Sequence, residues 1–282
     1  MCEEKDKGLA PYTALTRRRF AALMAAGIGA AGCASTAATP LTAAQRDVSV
    51  TTPDGVAEAS LFYPEGGRAW PGVLFWPDIG GLRQSMRDMG RRLAASGYAV
   101  LVVNPFYRIG NAAATAGVFM DPARRPELRA VMTPANIDRD AAAFVAYLDG
   151  LSETSGAKVG VQGYCMGGPL AFRTAAAVPG RIGAVASFHG GGLVTDNADS
   201  PHRLIARTNA AYLVAIARND DEKEPNAKTV LRETFAETGR PAVVEVYDAD
   251  HGWCVPDSHA YNLPEAERAW VALLDLYRGA LV

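Results

Sequence analysis

Cys165 is the residue around which chemistry could be built. It sits at the apex of Gly163-Tyr164-Cys165-Met166-Gly167-Gly168, just after the apolar run Val159 to Gln162. A Gly-x-nucleophile-x-Gly turn holds its central side chain in a strained backbone conformation at the top of a parallel sheet. The flanking glycines are needed because a Cβ at either would meet the neighbouring strand or helix. The helix expected from Pro169 to about Ala176 aims its N-terminus at the sulfur, which favours a thiolate and any developing oxyanion. A buried cysteine in an ordinary strand-to-helix turn reads the same from these residues alone, so the partners decide.

In an open α/β sheet, reactive groups come from loops at the carboxyl ends of strands. Arg218-Asn219-Asp220-Asp221-Glu222-Lys223-Glu224-Pro225 follows the apolar run Ala211 to Ala217, and Asp248-Ala249-Asp250-His251-Gly252-Trp253-Cys254 follows Val243 to Tyr247. The chain order is nucleophile, acid, histidine. A histidine within reach takes the thiol proton, a carboxylate behind it fixes the tautomer and stabilises imidazolium, and the thiolate attacks a carbonyl. A third loop, Trp76-Pro77-Asp78-Ile79-Gly80-Gly81-Leu82-Arg83, follows an early strand. Such a loop supplies one backbone N–H of an oxyanion hole and the residue after the nucleophile supplies the other, which makes Ile79 and Met166 the expected donors. The plainer reading is a glycine-rich turn capping a helix, and both can hold at once.

The elements that must position these groups follow from the hydrophobic pattern. Val48 to Thr52 and Ala57 to Tyr63 flank Pro53-Asp54-Gly55 and predict a β-hairpin at a sheet edge. Strands are then expected at Gly72 to Trp76, Ala99 to Val103, Val159 to Gln162, Gly183 to Phe188, Ala211 to Ala217 and Val243 to Tyr247. Helices are expected over about Gln84 to Ser96, Pro134 to Gly150, Pro225 to Thr238 and Leu263 to Leu281. Short, wholly apolar strands alternating with helices predict an α/β domain with a doubly wound, mostly parallel sheet covered on both faces. Arg108 to Thr133, with little periodicity, reads as an irregular insertion near the site, of the kind that forms lids.

The 282 residues are 49% hydrophobic with a formal net charge of -2, so no basic excess exists to bind nucleic acid. Thr16-Arg17-Arg18-Arg19-Phe20 precedes a short Ala/Gly-rich run ending at Cys33. It is too short for a membrane span and matches a twin-arginine export signal. The expected organisation is a signal segment over 1–32, a linker over 33–46 and the α/β domain over 47–282. Export to the periplasm or cell envelope is expected. Ala31-Gly32-Cys33 also resembles the end of a lipoprotein cleavage box, which would tether the protein to a membrane through a lipidated Cys33. Cys165 and Cys254 would remain in the domain, and a disulfide between them is the structural alternative to a reactive thiol.

Taken together, the Cys165 turn, the Asp-Asp pair ahead of Pro225, Asp250-His251-Gly252-Trp253 and Trp76-Pro77-Asp78-Ile79-Gly80-Gly81 resemble the dienelactone hydrolase family over roughly Asp47 to Leu281. The resemblance implies an α/β-hydrolase fold and a Cys-His-Asp triad that acts on a small ester or lactone without cofactor or metal. It implies Cys165 as nucleophile, His251 as base and Asp221, four residues before the proline, as acid. Asp78 falls where the family carries a glutamate beside the resting thiol. Arg108 lies near the first of two substrate-carboxylate arginines, and either binds a carboxylate alone or pins the insertion; Val255 occupies the place of the second. Tyr164, His189 and Trp253 are expected to line the substrate pocket. The expected state is a monomer or small homo-oligomer, and the competing reading is a non-catalytic exported lipoprotein with a ligand-binding cleft.

Overall fold

The computed structural model describes residues 40–282. Residues 1–32, for which the sequence motif predicts an export signal, and Cys33 lie outside the described residues. The first two strands, β1 (Ala43–Thr52) and β2 (Gly55–Pro64), pair antiparallel in one unbroken register from Ala43 opposite Pro64 to Thr52 opposite Gly55. The hairpin is thus longer than its alternation suggested, and takes in residues 43–46 that the sequence placed in the linker. Polar Gln45, Arg46 and Asp47 belong to this strand because β1 is an edge, with exposed side chains tolerated on its open face.

The remaining strands are β3 (Gly72–Trp76), β4 (Ala99–Val103), β5 (Val159–Tyr164), β6 (Ile182–Phe188), β7 (Ala211–Ala217) and β8 (Ala242–Tyr247). All six run parallel, and the eight-stranded sheet has the order β1-β2-β4-β3-β5-β6-β7-β8. Every residue of β3, β4 and β5 is buried, as expected for strands covered on both faces. From β3 the chain passes to β4 on one side and returns to β5 on the other. That reversal opens a crevice at the carboxyl ends of β3 and β5, where the glycine-rich loop and the Cys165 turn lie.

Between the strands run α1 (Gln84–Ala94), the short α2 (Ala112–Thr115) and α3 (Arg125–Val131), then α4 (Pro134–Asp149), α5 (Gly167–Ala177), a single turn α6 (Pro201–Leu204), α7 (Arg218–Lys223), α8 (Ala227–Thr238) and α9 (Leu263–Leu281). The helix α4 begins where Thr133 accepts a hydrogen bond from the Asn136 N–H and Pro134 takes the first helical position. It buries Ile137, Ala141, Phe144, Val145 and Leu148, spaced to form one stripe. Ile137, Phe144, Val145 and Leu148 share one core, on one face of the sheet, with Phe172 of α5 and with Leu231 and Phe235 of α8. Met86 and Leu93 of α1 with Leu273 and Tyr277 of α9 fill the other face. Each such leucine stabilises by about 2 kcal/mol through apolar burial.

The insertion departs from expectation. It contains α2, α3 and a tight turn at Val118–Met120, and Val118 and Leu128 bury with Phe106 into a small third core. Its apolar positions are too few per element to show a period in sequence. Ile79 and Met166 pack against this core, so the insertion roofs the site.

Candidate active site

Cys165 adopts φ 53°, a left-handed conformation rare for a residue with a Cβ. Its N–H donates to the Phe188 carbonyl at 3.0 Å and its own carbonyl accepts from Gly168 at 3.0 Å, closing the turn between β5 and α5. The glycine requirement is steric: a Cβ on Gly163 would lie 1.8 Å from the Gly167 carbonyl oxygen, and one on Gly167 would lie 2.5 Å from that of Trp76. The turn is therefore wedged against the end of β3. Cys165 and Cys254 are both free thiols, so the disulfide alternative is not adopted.

His251 follows β8 and reaches back over β7. One of its ring nitrogens, one of His189 and the Cys165 sulfur all lie within 4.8 Å of one another. The Nδ1 of His251 is 2.6 Å from Asp220 Oδ2, which leaves Nε2 to face the sulfur. The acid on His251 is thus Asp220, not Asp221. The two follow β7 in the first turn of α7, where successive residues point about 100° apart. Asp220 faces the imidazole, while Asp221 turns to an ion pair with Lys228 of α8. Burial would lower the pKa of His251, but its hydrogen bond to Asp220 and the contact with Cys165 outweigh it and push the value up to about 11.

The loop carrying His251 is fastened to α7 by residues that the sequence reading did not single out. Asn219 accepts the His251 N–H at 2.8 Å, Arg218 pairs with Asp248 and Asp250, and the Arg218 N–H donates to the Ala249 carbonyl. The signal was the adjacency of Arg218-Asn219-Asp220 to an Asp-x-Asp-His stretch. At the other wall, among the described residues, neither the Ile79 nor the Met166 N–H donates to a backbone carbonyl. Both flank the point where Gly167 abuts Trp76 and Pro77. Two free donors beside a nucleophile are suited to stabilising an oxyanion.

The sequence profile of the Dienelactone hydrolase family matches residues 57–281. The chain belongs to the dienelactone hydrolase family. It is accordingly a hydrolase acting on ester or lactone bonds, with the α/β-hydrolase fold. Among curated relatives, the Methylorubrum extorquens protein named "Putative carboxymethylenebutenolidase" is 26% identical over 237 residues, covering 82% of this chain and 80% of its own. Among solved structures, a dienelactone hydrolase-like promiscuous phosphotriesterase from metagenomic libraries superposes with a TM-score of 0.72 at 22% identity, over 86% of this chain and 100% of its own. The dienelactone hydrolase of Anabaena variabilis gives 0.58 at 20%, again over 86% and 100%. These two likenesses establish the fold.

Several positions carried over from the dienelactone hydrolase family are used differently here. Asp78 is held by Arg83 through both carboxylate oxygens, at 2.6 and 2.9 Å, and does not serve as a free acid beside the thiol. Arg83 also clasps Asp257 through two bonds, and the hydroxyl of Ser85 donates to Asp257 as well. This buried network ties the Ile79 loop to the segment after His251, so Asp78 has a positioning role. Arg108 pins the insertion: it bonds both oxygens of the fully buried Asp140 at 2.8 Å and also Asp54, leaving its fork closed to a substrate carboxylate. In each case the partner on the spot, Arg83 for Asp78 and Asp140 for Arg108, already occupies the group.

Tyr164 and Trp253 do not line a substrate pocket. Tyr164 stacks between Phe75 and Phe188, and Trp253 is wholly buried against Tyr247. Both belong to the core under α1 and α9 because large rings there complete the apolar packing beneath the site. His189 does reach the site: its ring sits 4.6 Å from that of His251, edge to face, and is 1% exposed. Burial, followed by the neighbouring His251, holds its pKa well below the usual histidine value, so it stays neutral. Among the described residues, no helix is long and apolar enough to cross a membrane.

Proposed function

We propose that the protein hydrolyses a small, uncharged ester or lactone through an acyl-thioenzyme formed on Cys165, with His251 as general base and acid and Asp220 behind it. The observation that carries this reading is the strained Cys165 sulfur beside a histidine whose far nitrogen bonds a carboxylate at 2.6 Å. With His251 holding the thiol proton, the thiolate attacks the substrate carbonyl and the Ile79 and Met166 N–H groups receive the oxyanion. Collapse of the tetrahedral intermediate expels the alkoxide, which takes the proton from His251 Nε2. The ring then deprotonates water, hydroxide attacks the thioester, and the carboxylic acid leaves as Cys165 regains its proton.

Selection for an uncharged substrate follows from the roof and the arginine. Ile79 and Met166 sit against the apolar third core, and Arg108 is already neutralised by Asp140 and Asp54. Val255, where the second arginine was expected, is a buried core residue. The test is a panel of neutral and anionic esters and lactones assayed with wild type, Cys165→Ala and His251→Ala. Turnover confined to neutral substrates and abolished in both folded variants supports the reading; undiminished turnover by either variant contradicts it. On the sequence motif alone, residues 1–32 are proposed as an export segment, which cell fractionation of an Arg17→Lys, Arg18→Lys variant tests.

A further inference from the structure

His189 has no part in the hydrolytic scheme, yet its position is costly to hold. It follows directly after β6 at φ 40°, a conformation that costs a residue with a Cβ about 1–3 kcal/mol. Neither of its ring nitrogens has a hydrogen-bond partner although the ring is buried, and each such orphan costs about 1–3 kcal/mol. A buried, unpartnered imidazole aimed at a thiol and a second imidazole is a ligand set awaiting an occupant.

We propose that Cys165 Sγ, one ring nitrogen of His189 and Nε2 of His251 form a three-ligand site for Zn2+, whose occupation reversibly silences the enzyme. The silencing, though not the binding, rests on the hydrolytic reading above. The three ligand atoms lie within 4.8 Å of one another. Tetrahedral zinc, with bonds of about 2.3 Å to sulfur and about 2.0 Å to nitrogen, separates its ligands by roughly 3.3–3.6 Å. Closing by at most about 1.5 Å is within reach of χ rotations at Cys165 and His189.

The donor chemistry selects the ion. One thiolate and two imidazoles suit a borderline-soft metal, whereas Mg2+ and Ca2+ require oxygen ligands that this trio does not offer. Asp220 on the far nitrogen of His251 is the carboxylate commonly found behind a zinc-bound histidine, fixing its tautomer and raising its basicity. Three protein ligands leave a fourth position open to water. Zinc there occupies the sulfur electron pair that attacks the carbonyl and the Nε2 pair that carries the proton, so the metal-bound protein does not turn over.

The full-length protein, stripped with chelator, is titrated with Zn2+ against a chromophoric competitor, and with Co2+ as a spectroscopic substitute. The expected result is one saturable site per chain with tetrahedral Co2+ bands and a thiolate-to-metal charge-transfer band. His189→Gln weakens Zn2+ binding by more than the roughly 10- to 100-fold that loss of a mere outer-shell partner costs, Cys165→Ser removes the charge-transfer band, and Cys254→Ala changes neither. Absence of saturable binding, equal affinity in a folded His189→Gln protein, or a charge-transfer band that survives Cys165→Ser overturns the site. Should His189→Gln not fold, His189→Asn and the Cys165→Ser spectrum carry the decision. Metal binding by a protein that in metal-free form cleaves no ester keeps the site and removes the hydrolytic reading; ester cleavage with no metal binding does the reverse.

Discussion

Replacing Asp220 and Asp221 separately by asparagine distinguishes two adjacent acids that differ only in direction. Asp220 Oδ2 accepts from the Nδ1–H of His251 at 2.6 Å, and both side chains are only about one-fifth exposed, at 19% and 22%. A charge-assisted bond of this kind is worth about 1.5–3 kcal/mol, and its loss alone slows the reaction by roughly 10- to 150-fold. The amide adds a second penalty. Its NH2 group can donate to Nδ1, which moves the imidazole proton to Nε2, where the ring can no longer accept a proton from Cys165. Loss of the correct tautomer in a comparable triad costs about 10^4-fold, so Asp220→Asn is expected to lower kcat/KM on a small activated ester by about 10^2- to 10^4-fold. Asp221→Asn loses only a partly exposed pair with Lys228, worth about 0–1 kcal/mol of stability, and should stay within about threefold of wild type. Steady-state assays with p-nitrophenyl acetate, alongside thermal melts to confirm folding, read both effects. A larger rate loss in Asp221→Asn than in Asp220→Asn would refute the assignment.

Other consequences are equally direct. Iodoacetamide should label Cys165 at least tenfold faster than Cys254, whose thiol burial pushes well above its ordinary pKa; equal labelling on peptide mapping counts against the account. Gly163→Ala drives a Cβ to 1.8 Å from a backbone oxygen and should destabilise by about 3 kcal/mol or more, visible as a lowered urea midpoint, with no such loss for the open Gly180→Ala. His189 has a depressed folded pKa, so the unfolded chain binds its proton first as pH falls below about 6.5. Stability therefore drops on acidification by about 1.4 kcal/mol per pH unit from this residue. Urea midpoints between pH 7 and 5 should fall less steeply in His189→Gln than in wild type, and parallel slopes would show that the ring is not held neutral.

Much of the scaffold was legible because its signals are local. The strand bounds at Gly72–Trp76, Ala99–Val103 and Ala211–Ala217 coincide with uninterrupted apolar runs, and α9 coincides with its amphipathic stripe behind Asn262 and Pro264. Cys165 and His251 could be found from glycine and loop context, since their positions are fixed by strand ends. What sequence could not supply was side-chain direction. Choosing between Asp220 and Asp221 needs the phase of a six-residue helix, and the role of Arg108 needs Asp140, 32 residues further along, at its guanidinium. The pairing of Arg83 with Asp257 spans 174 residues, and only the folded sheet brings them together. Tyr164 and Trp253 were misplaced because an aromatic beside a reactive residue is equally suited to a pocket wall and to the core below it.

This division explains how the site is built. Elements that could be read locally supply a rigid rim: the wedge of Gly163 and Gly167 against β3, and the carboxyl ends of β5, β7 and β8. Long-range polar pairs then set the loops on that rim. Arg83 with Asp78 and Asp257 fixes the Ile79 loop, and Arg218 with Asp248 and Asp250 fixes the loop that carries His251. The strain at Cys165 is held by packing that no single contact provides.

The central claim is that the Cys165 sulfur becomes covalently acylated during turnover. Intact-mass and peptide analysis of protein quenched with acid while it processes a slowly released, bulky neutral p-nitrophenyl ester tests this most directly. The account predicts one added acyl group, on the peptide containing Cys165, discharged by hydroxylamine and absent from Cys165→Ala. Burst release of nitrophenol with the acyl group on any other residue, or undiminished turnover in Cys165→Ala, would contradict it.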